Sequence, residues 1–72
     1  MKSGLDNGRL AYVERRFPIT AQVRVKKSVE DYSLRQGTVT RISKQLGYVV
    51  VEVKLENELD SVKFSPEELD PL

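Results

Sequence analysis

The chain has 72 residues, a formal net charge of +1 and neither cysteine nor histidine. One domain of that length has a core yielding only about 3–5 kcal/mol. The missing residue types exclude disulfides, thiolate and imidazole metal sites, Ser-His or Cys-His nucleophiles and the ordinary neutral-pH general base, so an enzyme is not expected.

Charge is uneven along the chain: residues 1–48 hold ten Lys/Arg against four Asp/Glu, or +6, and residues 49–72 hold two against seven, or −5. A basic half of this kind steers an acidic partner without making the whole protein adhesive. No apolar run approaches the ~18 residues of a membrane span, and the opening Met-Lys-Ser-Gly-Leu-Asp-Asn-Gly does not read as a leader. A cytoplasmic protein is the expectation.

Residues 1–18 read as an N-terminal extension, flexible or partly helical. Arg9 to Arg16 suits two helical turns with Leu10 and Val13 on one side, stopping before Phe17-Pro18 because a residue preceding proline avoids the α region. Order is expected to begin at Phe17 and Ile19, and residues 19–72 form the domain.

Ala21 to Val25 alternates, with Ala21, Val23 and Val25 inward and Gln22 and Arg24 outward, which predicts a strand. Lys26 to Gln36 has no period of two and predicts a long loop held down by Val29, Tyr32 and Leu34. Gly37 to Leu55 then predicts an antiparallel hairpin. Val49, Val51, Val53 and Leu55 share one face, and Gly47 supplies the positive φ of the reversal. Val39 and Ile42, three apart, cannot share a face of a straight strand, so a bulge or bend is expected between them.

Asn57 in Glu56-Asn57-Glu58 predicts a tight turn with a left-handed residue. Leu59 to Phe64 reads as a fourth strand with Val62 and Phe64 inward. Ser65-Pro66-Glu67-Glu68 is a helix start: serine cap, proline at the first position, and glutamate reaching back to the cap. One helical turn and a short terminal strand follow. The pattern is all-β, a small SH3-like barrel of about five antiparallel strands with a one-turn helix near the C-terminus; an OB-like barrel or an open meander are the alternatives.

The run Val23-Arg24-Val25 with Tyr32, Gly37, Val39, Arg41, Ile42 and Ser43, and the ending Val62-Lys63-Phe64, Glu68-Leu69 and Pro71, resembles NdhS, the SH3-like subunit of the photosynthetic NDH-1 complex in cyanobacteria and chloroplasts. Val23 to Val29 with Tyr32, and Phe64 to Glu68, are similar to the variable chain of ferredoxin-thioredoxin reductase. The photosystem I subunit PsaE has the same barrel and a similar opening. The chain departs from the NdhS pattern in its N-terminal extension and in Glu56 to Asp60, which lacks a glycine-rich, tryptophan-containing segment.

These resemblances imply a non-enzymatic accessory or docking subunit without a cofactor. It would be a monomer in isolation, joining a larger host complex at the periphery of a thylakoid membrane and meeting an acidic protein such as ferredoxin. Exposed cations at the rim of a contact accelerate encounter and leave it weak enough to release. The partner-binding candidates are Arg24, Lys26, Lys27, Arg35, Arg41 and Lys44, with Tyr32 as either a contact or a loop anchor.

The alternative is a nucleic-acid module, because Gln36-Gly37-Thr38-Val39 after a basic strand is similar to the KOW motif and the same cations would meet phosphates. Near-neutral charge, an acidic C-terminal third and only five aromatic residues weigh against it. Binding of proline-rich peptides needs an aromatic groove with tryptophan, which the chain lacks. Neighbouring carboxylates in Glu30-Asp31 point to opposite faces if extended, and Glu67-Glu68 is explained by capping.

Overall fold

The computed structural model describes residues 2–72, with side chains from Arg9 onward, so Met1 of the expected extension lies outside the described residues. Helix α1 spans Lys2–Arg16. Strands follow at Gln22–Val25 (β1), Gln36–Gln45 (β2), Tyr48–Leu55 (β3), Val62–Phe64 (β4) and Leu69–Pro71 (β5), with a 3₁₀ turn at Pro66–Glu68. The sheet order is β4-β3-β2-β1-β5 and all pairings are antiparallel. The last strand thus returns beside the first, giving the small SH3-like barrel.

The hairpin behaves as its pattern requires. Val49, Val51, Val53 and Leu55 are buried, and β2 pairs with β3 from Gly37↔Leu55 to Gln45↔Tyr48. Its two-residue loop has φ of 51° at Leu46 and 82° at Gly47, the positive pair that a type I′ turn demands. The register shifts between Val39 and Arg41, leaving Thr40 as the extra residue. The Thr40 hydroxyl donates to the Glu52 carbonyl at 3.2 Å and lies 3.0 Å from Ser61 Oγ. With that residue inserted, Val39 and Ile42 both turn toward the interior.

The N-terminal segment is part of the packing. Leu10, Val13 and Phe17, spaced three and four apart, form one helical stripe; Val13 and Phe17 join the core and Leu10 packs against it. The Phe17 amide closes the helix on the Val13 carbonyl at 2.8 Å, and Arg15 and Arg16 sit in the last turn, where the helix dipole favours cations. The helix is longer than the two turns expected, and Phe17 rather than Ile19 enters the core; Ile19 is half exposed.

Two further expectations are corrected. Leu34 does not pack the loop down: it is exposed at a φ of 61°, where its amide bonds to the Val25 carbonyl at 3.0 Å and its side chain is turned outward. Val29 and Tyr32 anchor the loop, the Tyr32 ring meeting Phe64 edge-on at 5.7 Å. The fourth strand is only Val62–Phe64, because the chain is still bending at Leu59 and Asp60 and Leu59 lies almost wholly in solvent. Asn57 takes the left-handed conformation with φ 69°. The Ser65 amide donates to Glu68 Oε1 at 2.9 Å, the return contact that the capping signature implies.

Candidate functional site

Arg24 stands on the outer face of β1, in register with Gln36 of β2 on one side and Asp70 of β5 on the other. Two residues on, where the strand ends, the Lys26 amide bonds to the Glu68 carbonyl at 2.9 Å and its Nζ lies 3.9 Å from Asp70 Oδ1. Lys27 is exposed, and its carbonyl accepts the Ser33 hydroxyl at 2.9 Å, which ties the start of the loop to its return. Arg24 on β1 is thus followed, just past the end of the strand, by Lys26 and Lys27.

The remaining candidates fall elsewhere. Arg35 donates to the Glu56 carbonyl at 2.7 Å and to Glu58 Oε2 at 3.3 Å, so its guanidinium is engaged by the turn after β3. Tyr32 packs on Phe64 as an anchor. Beyond the bulge, Arg41 faces Glu52 in register and lines a groove of about 440 Å³ with Glu14, Pro18, Ile19, Thr40 and Ile42. Lys44 is exposed opposite Val49 near the hairpin tip. Three of the seven candidates thus fall on β1 or just past its end, and the others lie elsewhere.

Three residues that the sequence did not single out stand beside Lys26. Arg9, Tyr12 and Arg16 share one face of α1 and line a cleft of about 210 Å³ with Lys26, Pro66, Glu67 and Leu69. Arg9 donates to Glu67 Oε2 at 2.6 Å. That guanidinium holds the Glu67 carboxyl below its ordinary range, aided by the Glu67 amide and by the charges of Arg9 and Lys26. Among the described residues, Arg15, Arg16, Arg24, Lys27, Arg41 and Lys63 have no carboxylate within 4.0 Å. The one sequence signal for α1's part was its exposed-face spacing, Arg9, Tyr12 and Arg16 at i, i+3 and i+7.

Among the described residues no group of three His, Cys, Asp or Glu is placed to hold a metal ion, and no helix is long and apolar enough to cross a membrane. No protein-family model matches the chain, and no curated protein and no solved structure matches it.

Proposed function

We propose that this chain is a non-enzymatic docking subunit of a photosynthetic electron-transfer complex, offering a basic surface to an acidic protein such as ferredoxin. The observation that carries the reading is the basic run at the end of β1: among the described residues Arg24 and Lys27 are exposed with no carboxylate partner, and Lys26 between them has only a distant one. Such cations keep their field in solvent, where it speeds encounter. Paired and buried cations lose that field, as Arg35 partly does at Glu58. The resemblance to NdhS and its ferredoxin-contacting counterparts is the ground for naming ferredoxin as the partner and a photosynthetic complex as the host.

The double substitution Lys26→Glu with Lys27→Glu tests this by stopped-flow association with ferredoxin at low ionic strength. Association slows by about tenfold or more, and the salt dependence flattens. The melting temperature stays within a few degrees of wild type, since both ammonium groups lie at the surface. An unchanged rate contradicts the proposal.

A further inference from the structure

We infer that the cleft between α1 and the 3₁₀ turn is the seat for a carboxylate of the acidic partner, and that Glu67 fills that seat in the free protein. This rests on the docking reading above and names the surface on which it is centred. Three cations, Arg9, Arg16 and Lys26, line the cleft against one carboxylate, Glu67. Arg16 has no carboxylate partner among the described residues, and Lys26 has only Asp70 at 3.9 Å. The cleft therefore keeps unspent positive charge after its internal pair has formed.

Glu67 is well suited to exchange. Its pair with Arg9 is short at 2.6 Å, yet the two side chains are 67% and 54% exposed, so the pair is an accessible surface contact. Such pairs contribute little net free energy, so one carboxylate replaces another at low cost. Tyr12, more than half exposed, stands between Arg9 and Arg16 on the same helical face, with Pro66 and Leu69 across the cleft. A phenol ring and a proline beside the cations suit an acidic residue with an apolar neighbour, the ring taking the apolar side chain and Arg9 and Arg16 the charge. An internal carboxylate of this kind keeps the contact weak and reversible, as an electron-transfer encounter requires.

A helix clasp and an occupied seat predict opposite signs for one substitution. In Glu67→Gln, loss of a clasp loosens α1 and weakens partner binding, whereas release of a competitor strengthens it. The experiment measures ferredoxin affinity by fluorescence anisotropy at low ionic strength for the full chain and for Glu67→Gln, Arg16→Gln and Lys63→Gln, with a melt of each. The expected result is a Kd about two- to fivefold tighter for Glu67→Gln, weaker by a similar factor for Arg16→Gln, and unchanged for Lys63→Gln, which lies outside the cleft on β4. If ferredoxin binds but Glu67→Gln is unchanged or weaker, the seat is refuted and the docking reading stands. If wild type does not bind ferredoxin at all, the docking reading falls and this inference falls with it.

Discussion

Replacing Gly37 by alanine probes how tightly the barrel is wound. Gly37 pairs with Val23 of β1 and with Leu55 of β3, so it lies where one strand serves both halves of the sheet. A Cβ there would stand 2.5 Å from the Lys54 carbonyl oxygen, 2.8 Å from Val53 Cγ1 and 2.9 Å from the Leu55 Cα. Two of the three are backbone atoms of β3 and have no rotamer to change. Relaxing the closest contact from 2.5 Å to an ordinary 3.4 Å requires β2 and β3 to part by about 0.9 Å, which stretches their ladder. Overpacking of this kind costs about 1–3 kcal/mol, and the stiffer unfolded chain offsets about 0.4–1 kcal/mol. A net loss of about 1–2 kcal/mol is expected, roughly a third of the stability of a domain this small. At about 4–8 °C per kcal/mol, the melting temperature falls by about 4–16 °C. Urea unfolding at 25 °C, followed by circular dichroism beside thermal melts, gives both numbers. A variant within about 0.5 kcal/mol of wild type would refute the reasoning, because the strand would then have room that these distances deny. The same packing gives Gly37 a structural reason to be glycine, independent of the nucleic-acid reading of its motif.

Three other outcomes follow from the same structure. Leu46 holds a φ of 51° with its side chain 97% exposed, so Leu46→Asn relieves a left-handed leucine and stabilises by about 1 kcal/mol; a loss of stability in the melt would show that the side chain has an unrecognised role. Phe17→Ala removes a fully buried ring that joins α1 to the barrel, costing about 3–5 kcal/mol, and abolishes cooperative unfolding; a sharp transition near the wild-type temperature would contradict that joint. Glu67 has its pKa lowered in the folded protein by Arg9, by its own amide and by Lys26, so its contribution is complete above the ordinary value of 4.5 and is lost as pH falls through the lowered value. For so exposed a pair that amounts to less than about 1 kcal/mol, and Glu67→Gln should flatten the acid limb of the stability profile by this amount; an acid limb identical to wild type would remove the pair from the account.

The parts of the fold that were legible before the structure are those written in local pattern. Alternation over Val49 to Leu55 carries strand and buried face together, the three-residue spacing of Val39 and Ile42 announces the bulge, and Asn57 and the Ser65 to Glu68 signature mark a turn and a cap because each depends on near neighbours. Leu34 misled because apolar character says nothing about the direction of a side chain on a left-handed residue. The start of the fourth strand was misplaced because the alternation of Val62 and Phe64 does not show that the backbone is still bending at Leu59 and Asp60.

The candidate site was less legible. Arg9 and Glu67 are 58 positions apart, and no periodicity links a helix side chain to a turn at the other end of the chain. Arg35 read as one more loop cation until Glu56 and Glu58 were brought beside it by the turn at Asn57. The charge of a residue is visible in sequence, but whether that charge is spent is a property of the fold.

The central claim is that a basic surface around β1 and α1 docks an acidic protein. Its most direct test is a pair of NMR titrations on labelled protein, with ferredoxin and with a mixed-sequence single-stranded oligonucleotide, each at low and at moderate salt. The account predicts salt-sensitive shifts with ferredoxin alone, at Arg9, Arg16, Arg24, Lys26 and Lys27, and little change at Arg41 and Lys63. Shifts with the oligonucleotide alone, or silence with both, would contradict it.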